Sequence, residues 1–271
     1  MTQAVRLQFL VCPQRDFIGT RAELEPSLIK ELAQSPQPVA AGGANGHAGA
    51  GLDRVELENF WDVVADKRKL HVGREAVHKL RGKDPAKHDP FVSCVKRLYA
   101  GEIPGLGENL RVVLDEDWHP RACSEFPIFG VHCVKGSEGA MLVGELQQYR
   151  WHDKTHQLRA NSINPAANPV EYHKLLEEAL DGEKPEHVKA GIMGVWTHIK
   201  VEYLAVALNT MWPFLKTSQI GICAPLCASP YSADHEYALE KFKKLKFEVF
   251  DNLDAYLEWF ADDVREETIA P

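Results

Sequence analysis

The stretch at residues 191–208, G-I-M-G-V-W-T-H-I-K-V-E-Y-L-A-V-A-L, constrains the fold more than any other. Ile192-Met193-Gly194-Val195-Trp196 is an apolar run of the length of a buried strand. After Thr197-His198-Ile199-Lys200, the residues Val201, Leu204, Ala205 and Leu208 recur at helical spacing. The predicted unit is strand, tight turn, helix. In an open α/β sheet such a turn lies at the carboxyl end of a strand, where ligands and catalytic groups collect.

The rest of the chain repeats the alternation. Strands are expected at 7–11, 110–114, 157–159, 218–226 and 247–250, and helices at 91–99, 170–180, 236–245 and 254–264. This order predicts a three-layer α/β/α sandwich with a mainly parallel sheet. With 271 residues, 45% of them hydrophobic, the chain can fill one large core, so a single domain is expected. Helix 170–180 places Val170, His173, Leu176 and Leu180 in register and stops at Asp181-Gly182. Residues 21–68 interrupt the alternation. Within them 35–51 is rich in Gly and small residues and reads as an excursion or lid, flanked by helical spacing at 24–32 and 55–65.

A formal net charge of -8 argues against a nucleic-acid partner, since phosphate binding needs clustered positive charge. The basic stretch at 67–97 reads as a solvated face. No apolar run approaches a membrane span and no signal-peptide pattern opens the sequence, so a cytoplasmic protein without membrane contact is expected. The six scattered cysteines read as reduced thiols.

Three further segments stand where strands are expected to end. The first is Cys12-Pro13-Gln14-Arg15-Asp16-Phe17, the second Asp117-Trp118-His119-Pro120, and the third His132-Cys133-Val134-Lys135-Gly136-Ser137-Glu138-Gly139-Ala140. A carboxylate and an imidazole two residues apart at a strand end can point to one site, and both are ligands for Zn, Mn or Fe. Together with Gly194, Val195, Thr197 and Val201, these segments resemble the isochorismatase-like cysteine hydrolases, the family of nicotinamidases. The family patterns are D-x-Q-x-D-F, D-W-H-P, H-C-V-x-G-T-x-G-A and G-[IV]-x-T-D-x-C-V. The resemblance covers about two thirds of the chain and implies a metal site at Asp117, His119 and His132. It also implies a small-molecule pocket near Gln14, Asp16, Phe17, Thr197 and His198, and assembly into homo-oligomers. A fourth metal ligand has no match, with Cys123 or Glu125 in its neighbourhood.

The resemblance breaks at the catalytic triad. The general-base Asp is replaced by Cys12 and the nucleophilic Cys by Lys200, while the Lys has no match and Arg159 is the nearest cation. A rival alignment with Cys227 as nucleophile lacks the Thr, carries Pro225 in the turn and leaves too little chain for the remaining elements. Without a thiol at position 200 the family's thioester chemistry loses its usual geometry. One reading is a catalytically divergent or non-catalytic homologue that binds a small ligand and a divalent metal. Another is a rewired hydrolase of an amide or similar C-N bond, with Cys12 as nucleophile. A third uses metal-bound water, with Asp16 or Glu125 as base.

Overall fold

The computed structural model describes residues 4–15, 90–120, 123, 132–160, 162–229 and 232–262. The expected insertion at 21–68, most of the basic stretch, and Asp16, Phe17 and Glu125 lie outside them.

Among the described residues six strands form one sheet: β1 (Val5–Val11), β2 (Leu110–Asp117), β3 (Thr155–Ala160), β4 (Val188–Val195), β5 (Ile220–Ala228) and β6 (Glu248–Phe250). Their order is β3-β2-β1-β4-β5-β6, and every neighbouring pair is parallel. All residues of β1 and β4 are buried, as expected of central strands covered on both faces. Val11 pairs with Asp115 of β2 and with Gly194 of β4, so the carboxyl ends of these three strands lie level. The predicted α/β/α sandwich is observed.

The helices follow the expected stripes with two differences. Helix α1 (Pro90–Tyr99) buries Phe91, Cys94, Val95, Leu98 and Tyr99. Helix α2 (Pro169–Leu180) begins at the N-cap Asn168, whose side chain accepts from the Glu171 N–H, and ends at Asp181 in the left-handed conformation. Its buried face is Tyr172, Leu175, Leu176, Ala179 and Leu180, whereas Val170 is 75% exposed. Tyr172 opens a wider apolar stripe at i, i+3, i+4 and i+7, and that stripe turns Val170 outward. A π-helical turn, Thr197–Val201, precedes helix α3 (Glu202–Thr210), and helix α4 (Ser232–Lys244) follows β5.

Helix α5 (Leu253–Ala261) is expected from sequence as an appendage, yet it is built into the sheet. Tyr256 and Phe260 are fully buried, and the Tyr256 hydroxyl donates to Gln8 Oε1 of β1 at 2.6 Å. Lys189 of β4 donates to the Trp259 carbonyl at 2.6 Å, and Arg6 Nε to the Phe260 carbonyl at 2.5 Å. The helix reaches this depth because β4 has no side chain beneath it at Gly191. A Cβ there would stand 1.9 Å from the Tyr256 hydroxyl oxygen.

Gly191→Ala is therefore expected to lift α5 from the sheet and cost about 1–3 kcal/mol, the usual range for overfilling a packed core. Thermal or denaturant unfolding of the variant beside the wild type measures the loss.

Candidate metal and ligand site

The site forms where β1, β2 and β4 end. Strand β2 runs three residues past its expected end, and its alternation sends Asp115 and Asp117 to one face. Glu116 points to the opposite face, where it is paired with Arg150. From β4 the chain enters the π-turn through Gly194, whose φ of +132° places its missing Cβ 2.1 Å from the Val11 carbonyl oxygen. Only glycine permits that approach of β4 to the end of β1. The turn is tied to the loop after β5 and the start of α4: Thr197 Oγ1 lies 2.8 Å from His235 Nδ1, and His198 Nδ1 2.8 Å from Ser229 Oγ. These ties leave Lys200 directed into the cleft.

Lys200 is buried and holds two carboxylates. Its Nζ donates to Asp117 Oδ1 at 2.5 Å and forms an ion pair with Asp115 Oδ1 at 3.1 Å. Cys12, with φ of 49°, leaves its strand in a conformation few side chains adopt, and its thiol donates to Asp117 Oδ2 at 3.6 Å. The same Oδ2 stands 3.8 Å from His119 Nε2 and 3.9 Å from His132 Nε2. Asp117 is thus the hub of the site. Its main chain is fixed by Gln14, whose Oε1 accepts from the Asp117 N–H at 2.7 Å and whose Nε2 donates to the Asp117 carbonyl at 2.7 Å.

The charge states follow from this geometry. Burial alone would lower the Lys200 amine, but Asp115 and Asp117 hold it well above the usual lysine range. Burial works to raise Asp117, yet Lys200, with His119 and His132, outweighs it and holds that carboxyl well below the usual range. Burial carries Asp115 up to about 6 against the pull of Lys200. The Cys12 thiol is pushed well above its ordinary value by burial, then by Asp117, and Lys200 offsets only part of this. At neutral pH the arrangement is an ammonium ion between two carboxylates, with a protonated thiol beside them.

Asp117, His119 and His132 offer three ligand atoms within 4.8 Å of one another. In a tetrahedral zinc site with Zn–N near 2.0–2.1 Å, ligand atoms stand roughly 3.3 Å apart, so a modest contraction brings these three to bonding distance of one ion. Oδ2 faces both imidazoles while Oδ1 is taken by Lys200, which leaves one carboxylate oxygen for a metal. His119 is fixed from behind by Cys123, whose Sγ lies 3.3 Å from its Nδ1. Cys123 is therefore an outer partner of the imidazole, and it orients the ring as such partners do in metal sites. The donor set fits a divalent transition metal, which would supply Lewis acidity to a ligand oxygen in the cleft.

Cys12, Asp117, His132 and Lys200 line one cavity with Ile163, Val195, Trp196 and Ile199, about 20 Å³ in volume. That is room for about one water-sized group. Several sequence expectations need correction here. Arg159 does not join the triad positions: it is exposed, donates to Gln157 Oε1 at 2.6 Å and stacks over the Trp118 ring at 4.7 Å. The alternation of β3 buries Leu158 and Ala160 and turns Arg159 outward. Gln14 is a backbone clamp rather than a ligand contact, since both ends of its amide are engaged within the protein. Thr197 and His198 anchor the turn and do not line the cavity. Cys227 lies in the core, its thiol directed at the Ile192 carbonyl. Sequence reasoning missed Asp115, although a carboxylate inside an apolar strand signals a buried partner. It also missed the apolar wall of Ile163, Trp196 and Ile199.

No family model and no curated protein matches the sequence. Solved structures do. An isochorismatase-like hydrolase from Alkaliphilus metalliredigens superposes with a TM-score of 0.56 at 17% identity, over 96% of this chain and 98% of its own. A pyrazinamidase/nicotinamidase from Streptococcus mutans gives 0.55 at 12% identity, over 90% and 99%. An isochorismatase family protein from Desulfovibrio vulgaris gives 0.53 at 12% identity, over 91% and 93%. The chain is an α/β protein with a parallel sheet and its site at the strand ends. Its fold is the isochorismatase-like fold, as the motifs imply. Among the described residues no helix is long and apolar enough to cross a membrane.

Because Cys12 is buried and protonated, it is expected to react with iodoacetamide near neutral pH more slowly than Cys123, which is half-buried. Mass spectrometry of time-resolved alkylation in native protein gives the order. Cys12 labelled first would show an activated thiol.

Proposed function

We propose that this protein binds a small ligand and a divalent transition metal at the strand ends of an isochorismatase-like fold, without the family's thioester chemistry. One observation supports this reading: Lys200, which the motif resemblance sets at the nucleophile position, is held by Asp115 and Asp117 as an ammonium ion. An amine in that state has no lone pair for attack, and its charge is spent on the carboxylates rather than on making Cys12 a thiolate. The three facing donors of Asp117, His119 and His132 support the metal, with Zn, Mn or Fe suited to imidazole and carboxylate. Six free cysteines are consistent with a reducing cytoplasmic setting, and homo-oligomeric assembly is an expectation that size measurements address.

A second reading rests on the meeting of a thiol, an ammonium ion and a carboxylate at Cys12, Lys200 and Asp117. These are the family's three chemical groups on exchanged positions. In that case Cys12 is the nucleophile of a rewired C-N hydrolase, and a ligand must first draw Lys200 away from Asp117.

Two measurements separate the readings. Purified protein is expected to hydrolyse nicotinamide no faster than Lys200→Ala or Cys12→Ala, and turnover that vanishes in either variant would establish catalysis. Elemental analysis is expected to find a divalent transition metal that is lost in His119→Ala. Dialysis should strip it readily, because three ligands imply modest affinity. Metal content unchanged in Asp117→Ala/His132→Ala would place the ion elsewhere.

A further inference from the structure

We infer that Asp115 is the counter-charge that makes this metal site compatible with the Lys200 ammonium. The inference rests on reading Asp117, His119 and His132 as a metal centre, and concerns a residue outside that ligand set.

Lys200 Nζ stands 2.5 Å from Asp117 Oδ1, on the carboxylate whose other oxygen faces the two imidazoles. A divalent cation bound there meets a buried positive charge across a single carboxyl group. In a site removed from water such a repulsion is severe, because little solvent screens it. Asp115 is the ammonium's second carboxylate partner, its Oδ1 3.1 Å from Nζ, and is fully buried. It is not among the three described groups whose ligand atoms cluster, Asp117, His119 and His132. It cancels the Lys200 charge as seen from the metal, and Asp117 keeps its own charge for the ion. Both carboxylates leave β2 on one face, two residues apart, so the strand alternation itself sets both charges beside the ammonium.

The arrangement predicts an order of affinities. Zn²⁺ affinity is measured by competition with a chromophoric chelator in the apo-protein, beside circular dichroism and thermal unfolding. Asp115→Asn leaves the ammonium uncancelled and is expected to weaken Zn²⁺ at least tenfold. Lys200→Met removes the repulsion, leaves two carboxylates and is expected to tighten it at least tenfold. The double variant restores the charge count and is expected to return within about threefold of the wild type. Should Asp115→Asn fail to fold, Asp115→Glu keeps the charge and is expected to retain near wild-type affinity, with Lys200→Met still tightening. Unchanged affinity in Asp115→Asn, or a double variant that shows no compensation, overturns the role of Asp115 while leaving the metal centre intact. Absence of Zn²⁺ binding in the wild type and in Lys200→Met removes both.

Discussion

The site depends on one buried ion cluster, the Lys200 ammonium held by Asp115 and Asp117. Removing three charges from water is costly, and their attraction offsets that cost only when the geometry is tight and every partner remains. The surroundings provide that geometry. Gln14 clamps the main chain of Asp117, the π-turn is pinned through Thr197 and His198, and Gly194 lets β4 close against the end of β1. Such a cluster ties the π-turn after β4 to the end of β2.

The cluster also determines what the cleft can do. The Lys200 ammonium has no lone pair, and burial keeps Cys12 as a thiol, a weaker nucleophile than the thiolate. Asp117 is bonded to the Lys200 ammonium through Oδ1, while its Oδ2 faces the two imidazoles and accepts from the Cys12 thiol. The facing polar groups of the cleft gather at the end of β2. The imidazoles of His119 and His132 meet there edge to face, with ring centroids 4.5 Å apart.

Much of this was legible in the sequence because it rests on periodicity and on residue types at strand ends. The buried runs of β1, β4 and β5 and the stop at Asp181 follow local rules, and the D-W-H-P segment places Asp117 and His119 at one strand end. The misreadings have physical causes. The three acidic residues after Leu114 read as the end of β2, yet the strand continues, with Asp115 and Asp117 sharing the Lys200 ammonium and Glu116 paired with Arg150. Arg159 is the right kind of residue on the wrong face, which a single strand cannot reveal without its register. Gln14 shares the family frame but acts on the backbone, and only the position of Asp117 shows that. The depth of α5 was hidden because its socket at Gly191 is made by an absent side chain.

The position of β1 at the centre of the sheet has a consequence for how the chain assembles. Its hydrogen-bonding partners are β2 and β4, and its residues Arg6 and Gln8 are bonded to α5 across more than two hundred residues, with separations of 254 and 248. Contacts of such span form late, since a long loop must close before any of them is made. During synthesis β1 emerges before β2, and its partners on β4 and α5 come later still, leaving an apolar segment open to chaperones or to wrong pairings. The strand that centres the native sheet is thus made before either strand it pairs with.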